Sequence, residues 1–249
     1  MEVPDPDSLV QEQIAYYRAR APEYDDWWLR TGRYDSGDEF GRRWEAGKQA
    51  LHQALSQFDP HGEVLELAAG TGNLTTQLAV VADHVTAVDT SEEALAIGRR
   101  KLGGSTNVTF VHADLFDWHP SRQFDAVVFG FWLSHVPPGR VRQFWQLVDA
   151  ALAPDGRVFF TDNAVPVEPA AAAGRKPTIG DASPPWSQTW VERGVSARDL
   201  SDGRRYRIVK RSWNPAQLEA ELAALGWHAS VTATAGLFIH GTAVRRARS

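Results

Sequence analysis

Residues 64–73 read Val-Leu-Glu-Leu-Ala-Ala-Gly-Thr-Gly-Asn, and they give the strongest indication of the fold class. The first six are mostly apolar and predict a buried strand, and the periodic apolar residues of 74–81 predict a helix. Between them, Gly70 and Gly72 allow a tight strand-to-helix turn and let a ligand approach the backbone closely. The stretch therefore predicts one strand-turn-helix unit of a ligand-binding α/β sheet.

Further apolar runs occur on the carboxyl side of this unit, at residues 84–89, 107–114, 124–132 and 156–162. Helical patterns at about 92–102 and 138–152 lie between them, and a turn is expected at 154–156. Short apolar runs that alternate with helices indicate βαβ units and a parallel sheet. Two residues separate the final runs, 227–234 and 237–244, so these predict an antiparallel hairpin.

The flanking regions predict a cap and an insertion. Residues 8–28 and 38–58 have helical spacing, which predicts an N-terminal helical cap over 1–58. The core is expected over 59–249, interrupted at 164–205 by a segment with five prolines that we interpret as an acceptor lid. A strand at 206–210 and a helix after Asn214-Pro215 follow the insertion.

Composition excludes several classes of function. The 249 residues are 43% hydrophobic with a formal net charge of −5, which argues for a folded protein and against electrostatic binding of nucleic acid. The absence of cysteine excludes disulfides, thiolate metal sites and a cysteine nucleophile. The chain has no run of eighteen apolar residues, and its first residues are acidic, so we expect no membrane span, no secretory signal and a cytoplasmic location.

Acidic residues follow the second and third predicted strands. Asp89 ends the second strand, nineteen residues after Gly70, where a carboxylate can accept hydrogen bonds from both hydroxyls of a ribose. Asp114 follows the third strand and adds an acceptor. Because the carboxyl ends of parallel strands share one edge of the sheet, we expect the glycine turn and both acids to form one site.

In these features the chain resembles the class I S-adenosylmethionine-dependent methyltransferases, over roughly residues 60–163. The resemblance implies a Rossmann-like seven-stranded sheet with an antiparallel last strand, and S-adenosylmethionine as cofactor with S-adenosylhomocysteine as product. It implies that Asp89 binds the ribose and that Asp114 binds the adenine amino group. The other residues expected at the cofactor are Glu66, Ala68, Gly70, Gly72, Thr90, Leu115 and Phe131, Ala68 standing where many members have glycine.

The stretch over residues 16–25 also resembles the lid of small-molecule members of this family. For this role we nominate Tyr17, Arg18 and Tyr24, since the face of an aromatic ring attracts a sulfonium cation. The alternative is an amphipathic helix that only packs on the sheet.

His135 is the candidate catalytic base, because it follows the fourth strand and its ordinary pKa near 6.5 suits proton transfer. The alternative is a structural histidine that shapes the turn before Pro137. The chain has ten tryptophans, and aromatic side chains outside strands often line pockets. The candidates for contact with the acceptor are Trp28, Trp132, His135, Trp186 and Trp190.

Two further motifs are weighed and set aside. Asp162-Asn163 resembles the pair in divalent-cation O-methyltransferases, but the fourth strand lacks the acid that would complete the site, and Asp125 lies at its opposite end. We therefore expect no metal. Tyr206 and Lys210 match the Tyr-x-x-x-Lys motif of short-chain dehydrogenases, which requires a helix, whereas these residues have a strand pattern.

The expected function is methyl transfer from S-adenosylmethionine to a small-molecule acceptor, with oxygen favoured because His135 offers a base, and with nitrogen or carbon possible. The alternatives are a nicotinamide-dependent oxidoreductase, a non-catalytic cofactor-binding relative, and a cyclase-type relative. We expect a monomer or a homodimer.

Overall fold

A computed structural model describes residues 6–164, 194–234 and 237–246 of the chain. The helices are α1 (Pro6–Arg20), α2 (Tyr24–Leu29), α3 (Asp38–Phe58), α4 (Thr75–Val81), α5 (Glu92–Lys101), α6 (Val141–Ala151) and α7 (Pro215–Ala224). The strands are β1 (Glu63–Leu67), β2 (His84–Asp89), β3 (Val108–His112), β4 (Phe124–Gly130), β5 (Leu152–Asn163), β6 (Val195–Asp199), β7 (Arg205–Val209), β8 (Trp227–Thr234) and β9 (Phe238–Arg245).

Seven of the described strands form one sheet in the order β3-β2-β1-β4-β5-β9-β8. β1 pairs in parallel with β2 and β4, β2 with β3, and β4 with β5, whereas β9 is antiparallel to both β5 and β8. The predicted Rossmann-like sheet with an antiparallel last strand is confirmed. The strand order reverses between β1 and β4, and open α/β sheets bind ligands at the carboxyl ends of strands beside such a reversal.

Helices bury both faces of the sheet, because its central strands are apolar along their length. On β1, Leu65 and Leu67 belong to the hydrophobic cluster that includes α6, whereas Val64 belongs to the cluster that includes α3 and α4. Side chains alternate between the faces of a strand, so Glu66 points to the same face as Val64. An acidic side chain thus lies inside the protein at the end of β1.

The helix predicted over residues 8–28 is not continuous, so that prediction is corrected. α1 ends at Arg20, Ala21–Glu23 form a 3-10 turn, and α2 begins at Tyr24. Pro22 explains the break, since proline lacks an N–H and disfavours a helical conformation in the residue before it. Because of the break, α1 and the start of α2 both contribute side chains to the cleft at the carboxyl edge of the sheet.

The turn predicted at residues 154–156 is also wrong. β5 already begins at Leu152, which pairs with Phe124, and the register of β4 and β5 then shifts between Phe124 and Ala126. The next pair after Leu152 is Arg157 with Ala126, so residues 153–156 form a bulge within β5 instead of a turn before it. The helix predicted from about residue 138 starts as a 3-10 turn, Pro138–Arg140, and continues as α6.

The described end of the predicted insertion contains β6, which pairs with β7 in a separate two-stranded sheet. Ile208 of β7 is buried against Tyr16 of α1, so this hairpin supports the cap. Residues 165–193 lie outside the described residues, and the role of the insertion as an acceptor lid stays a prediction. α3 ends at Phe58, where we expected the boundary between cap and core. In the described part of the chain, no helix has both the length and the apolarity needed to cross a bilayer.

Candidate active site

A cleft lies at the carboxyl edge of the sheet, where α1 and α2 meet the ends of β1, β2 and β4. It consists of two adjoining cavities. The front cavity, together with its opening to solvent, has a volume of about 830 Å³ and is lined by Tyr17, Asp89, Asp114 and His135, among others. The rear cavity, counted in the same way, has a volume of about 630 Å³ between α3, α4 and the sheet, and Glu66 lines it. Tyr24, Gly70 and Phe131 line both cavities, so the two form one continuous site.

The glycine loop, residues 68–73, separates the two cavities and has an unusual backbone. Ala68, Gly70 and Gly72 all have left-handed conformations, with φ of 55°, 55° and 79°. The N–H of Gly70 donates to Asp89 Oδ2 at 2.8 Å, and the N–H of Ala69 donates to Val88 O at 3.0 Å. The loop is therefore held against the end of β2. Glycine tolerates a positive φ without strain, whereas Ala68 is strained there.

Gly70 and Gly72 have different surroundings. A Cβ atom added at Gly70 would meet no described atom within 4 Å, and this residue lines both cavities. A Cβ atom added at Gly72 would lie 3.0 Å from the Cα of Gly98 in α5. Gly70 leaves space for a ligand, whereas Gly72 allows the loop to pack closely on α5.

Two carboxylates in the front cavity are oriented by backbone N–H groups. Asp89 accepts from the N–H groups of Gly70 and Ser91, each at 2.8 Å. Burial raises the pKa of Asp89, and these hydrogen bonds oppose the shift. Asp114 accepts from the N–H of Phe116 at 2.9 Å. Leu115 and Phe116 are buried beside it and give that end of the cavity an apolar wall.

Glu66 is the ionisable group at the floor of the rear cavity. It is 1% exposed, and its Oε2 atom has no hydrogen-bond partner among the described residues. Burial raises the pKa of Glu66 to about 8, because a charged carboxylate is poorly solvated there. The carboxyl group is thus mostly neutral at pH 7, with an oxygen left for a ligand.

Tyr17 and His135 form a hydrogen-bonded pair in the front cavity. The Tyr17 hydroxyl lies 2.7 Å from Nε2 of His135, and Nδ1 of His135 lies 2.7 Å from the Val209 carbonyl oxygen. A carbonyl oxygen only accepts, so Nδ1 carries the proton and the bare Nε2 accepts from the Tyr17 hydroxyl. Burial lowers the pKa of His135 well below 6.5, and the Lys210 ammonium adds to this shift. The imidazole is therefore neutral at pH 7 and fixed in one tautomer.

The loop that carries His135 is fixed by buried polar contacts. Asp162 accepts from the N–H of Ser134 at 2.7 Å, and the Lys210 ammonium donates to the Ser134 hydroxyl at 3.0 Å. Gln13 of α1 donates to the His135 carbonyl oxygen at 3.1 Å and accepts from the N–H of Val209 at 3.0 Å. These contacts join α1, the loop after β4 and the end of β7 around His135.

Aromatic rings form the wall of the cleft beneath α2. The Phe131 ring centroid lies 5.6 Å from those of Trp27 and Trp28, and Phe131 has a left-handed φ of 55°. Trp28 lines the rear cavity. Trp132 lines the front cavity, with its ring 6.0 Å from that of Phe116.

Most of the residues nominated from sequence line this one cleft, namely Tyr17, Tyr24, Trp28, Glu66, Ala68, Gly70, Asp89, Thr90, Asp114, Leu115, Phe131, Trp132 and His135. Two do not line it. Gly72 packs on α5, and Arg18 is exposed and donates to the Thr90 carbonyl oxygen at 3.3 Å. Trp186 and Trp190 lie outside the described residues. The contacts that any of these residues makes with a cofactor or an acceptor stay predictions.

Sequence reasoning missed two buried residues of α1. Arg20 is 8% exposed, and its guanidinium lies 5.1 Å from the Tyr24 ring centroid and 5.3 Å from that of Trp27. Gln13 is 3% exposed and holds the His135 loop. Arg20 lies four residues after Tyr16, on the same helix face, and that spacing was the available signal. The sequence favoured Arg18, which points to the surface.

The residues of the two motifs that we set aside do not form the sites that those motifs would require. Asp162 is bonded to the N–H groups of Ser134 and Asn163, and Asp125 accepts from the N–H of Glu63 at the opposite edge of the sheet. Across the described ranges, no three His, Asp or Glu side chains cluster in a way that could hold a metal ion. Tyr206 lies in β7, where extended backbone separates residues four apart by roughly 13 Å, so Tyr206 and Lys210 do not approach each other as they would on neighbouring turns of a helix.

The hydrogen-bond acceptors of the cleft and its apolar walls fit an adenosyl sulfonium. Asp89 and Asp114 present carboxylate oxygens for hydroxyl and amino hydrogens, and Leu115 and Phe116 offer an apolar surface for a purine ring. The open space at Gly70 and the free oxygen of Glu66 lie where the methionyl part would continue. Neutral aromatic rings line the middle of the cleft, which suits a sulfonium cation.

Comparisons with known proteins agree with this fit. The profile of a methyltransferase domain family matches residues 64–156. The structure of a DhpI–SAH complex is 36% identical to this chain, with a TM-score of 0.77 over 98% of this chain and 100% of that one. A DhpI–SAM–HEP complex is 38% identical, with a TM-score of 0.75 over 95% of this chain and 97% of that one. SAM and SAH are S-adenosylmethionine and S-adenosylhomocysteine.

Among curated relatives, a demethylmenaquinone methyltransferase of Clavibacter sepedonicus is 39% identical over 112 residues, which is 45% of each chain. The chain spans less than half the length of the curated relatives that it matches first. The DhpI structures, by contrast, are matched over nearly their whole length. The sheet order, the strand-end carboxylates and these likenesses agree, and the chain belongs to the class I S-adenosylmethionine-dependent methyltransferases.

Proposed function

We propose that this methyltransferase acts on a small-molecule acceptor and that the acceptor atom is oxygen. The observation that carries the proposal is the Tyr17–His135 pair, a hydroxyl and a neutral imidazole at 2.7 Å that line the front cavity. The DhpI complex holds a second ligand, HEP, together with SAM, and this supports a site for a second ligand here, because DhpI is similar to this chain over nearly its full length. Nitrogen and carbon acceptors are the alternatives.

When bound, S-adenosylmethionine supplies a methyl group on a sulfonium, and S-adenosylhomocysteine remains after transfer. The side chains of the cleft have to hold the acceptor in line and keep water away, which accounts for much of the rate of such a transfer. The aromatic rings of Trp27, Trp28 and Phe131 support this role, since they leave few polar groups along that wall.

The proton of an acceptor hydroxyl has a path in this arrangement. As the acceptor oxygen loses its proton to the Tyr17 oxygen, the Tyr17 proton passes to Nε2 of His135. Nδ1 of His135 keeps its proton throughout and donates it in a hydrogen bond to the Val209 carbonyl oxygen, which orients the ring. His135 then acts through Tyr17 rather than on the acceptor directly. Because its pKa is low, the imidazole is a weak base, and we expect its contribution near the lower end of general base catalysis, about 100-fold.

Residues 164–205 are proposed to cover the acceptor, and the enzyme is proposed to act in the cytoplasm as a monomer or homodimer. The family assignment excludes the nicotinamide-dependent oxidoreductase that the sequence had left open. A non-catalytic relative and a cyclase-type relative remain as outcomes of the test below.

The test incubates the protein with S-adenosylmethionine and one candidate acceptor at a time. The candidates are HEP (the ligand of the DhpI–SAM–HEP complex), a phenol, an amine and a quinol, and the readouts are the S-adenosylhomocysteine formed and the mass of each product. We expect a methylated oxygen product and a loss of about 100-fold in turnover for Tyr17→Phe. Tyr206→Phe is the matched control, since Tyr206 lies in β7 and is not among the described residues that line either cavity. Methylation of the amine or of quinol carbon alone would refute oxygen transfer. Cofactor binding without any product would favour the non-catalytic relative.

A further inference from the structure

Helix α2 lies over the cleft although none of its six residues is buried. The Trp28 carbonyl oxygen of α2 accepts from Nε1 of Trp44 in α3, and the bonds that join α2 to the glycine loop and to α5 are made by Asp25. The Asp25 carboxylate accepts from the Thr71 hydroxyl at 2.7 Å, from the Asn73 side-chain amide at 3.0 Å and from the Lys101 ammonium at 2.8 Å. We name these four residues, Asp25, Thr71, Asn73 and Lys101, the cap latch.

We infer that Asp25 is a positioning residue of the cofactor site, and that the cap latch holds the glycine loop in its ligand-binding shape. Asp25 is not among the described residues that line either cavity, so it acts through its neighbours. Thr71 lines both cavities and is 2% exposed. Tyr24, which precedes Asp25, also lines both.

The glycine loop is held on two sides, and it contains one strained residue, Ala68, whose φ is 55°. From the sheet, Asp89 accepts from the N–H of Gly70 at 2.8 Å. From the cap, Asp25 binds the side chains of Thr71 and Asn73. One carboxylate thus holds the loop on each side, and losing either support leaves strained backbone free to relax.

The charges within the cap latch balance. Burial would raise the pKa of Asp25, but hydrogen bonds from Lys101, Thr71 and Asn73 outweigh it and lower that pKa. Lys101 also donates to the Asn73 side-chain oxygen at 2.7 Å, so it bridges the cap and the loop from the end of α5. The carboxylate is therefore charged at neutral pH, and Lys101 neutralises it.

Asp25→Asn and Lys101→Met test the inference, with Arg99→Met as the matched control. Arg99 lies on the same helix and pairs with Glu92 at the surface. The first readout is amide hydrogen exchange of the loop in ligand-free protein, and the second is the affinity for S-adenosylhomocysteine by calorimetry. We expect faster exchange at the loop and about tenfold weaker binding for both latch variants, in the lower range of coupling between sites. Neither should change in Arg99→Met.

A double variant separates a specific latch from a general loss of stability. If the latch acts through Thr71, then Thr71→Val combined with Asp25→Asn weakens binding no more than the stronger single change. Additive losses, unchanged loop exchange in Asp25→Asn, or an equal effect of Arg99→Met would overturn the inference. If Asp25→Asn does not fold, Lys101→Met alone decides it. No readout requires an acceptor, so failure here is distinct from failure of the proposed oxygen transfer.

Discussion

The two glycines of the loop predict opposite consequences for the same substitution. Gly70→Ala places a methyl group in the cleft, where no described atom lies within 4 Å of it. Gly72→Ala places a methyl group 3.0 Å from the Cα of Gly98, a backbone atom that cannot rotate away. The first change should therefore affect ligand binding, and the second should affect stability.

The magnitudes follow from these surroundings. Both glycines have a positive φ, which makes alanine unfavourable by about 1–2 kcal/mol. A smaller gain of roughly 0.4–1 kcal/mol comes from the less flexible unfolded chain. Gly72→Ala adds overpacking of about 1–3 kcal/mol, so its net loss is roughly 2–4 kcal/mol, against about 1 kcal/mol for Gly70→Ala. For a domain of this size, the loss in Gly72→Ala lowers Tm by roughly 5–15 °C, and the loss in Gly70→Ala lowers it by less than about 4 °C.

The assay combines thermal melting of ligand-free protein with calorimetric titration of S-adenosylhomocysteine. Gly70→Ala should melt near the wild type and bind roughly 30-fold more weakly, which corresponds to about 2 kcal/mol for a methyl group that occupies ligand space. Gly72→Ala should show the larger fall in Tm. The reasoning is refuted if Gly70→Ala binds with wild-type affinity, or if both variants melt at the same temperature.

Three further predictions concern ionisable groups. Because the pKa of His135 is lowered, kcat should not fall through protonation of His135 until the pH is well below 6.5. A pH–kcat profile with an apparent pKa of 6.5, both in the wild type and in Tyr17→Phe, would contradict this. The pKa of Glu66 rises to about 8 in the folded protein, so the native state binds more protons and stability falls as pH rises from about 4.5 to 8. Glu66→Gln should remove that part of the slope in melting curves, and an unchanged slope in this variant would contradict the assignment. Asp114→Asn should weaken S-adenosylhomocysteine binding by about tenfold with little change in Tm, and unchanged affinity would remove Asp114 from the site.

The fold was predictable because its signals are local. Apolar runs of strand length that alternate with helical patterns indicate a parallel sheet, whatever the order of the strands in that sheet. One of the two errors was local in origin, and the other was not. The helix over residues 8–28 contains Pro22, which breaks it, and the turn at 154–156 was absorbed by an irregular pairing with β4. Only the partner strand decides that second case.

The site was predictable where topology alone brings residues together. Gly70, Asp89 and Asp114 follow three parallel strands, so any such sheet places them on one edge. Arg18 and Arg20 could not be separated in this way, because a shift of two positions on a helix turns a side chain by about 200°. Their exposures differ accordingly, Arg20 being buried and Arg18 exposed.

The amino-acid sequence by itself determined the α/β class, the glycine loop and the acids at the strand ends, since all of these depend on neighbours close in the chain. The tertiary structure alone decided that Tyr17 bonds His135, 118 residues away, and that Asp25 bonds Thr71, 46 residues away. Contacts of that range depend on how the cap packs over the sheet, and packing is set by the summed fit of many side chains rather than by any local pattern.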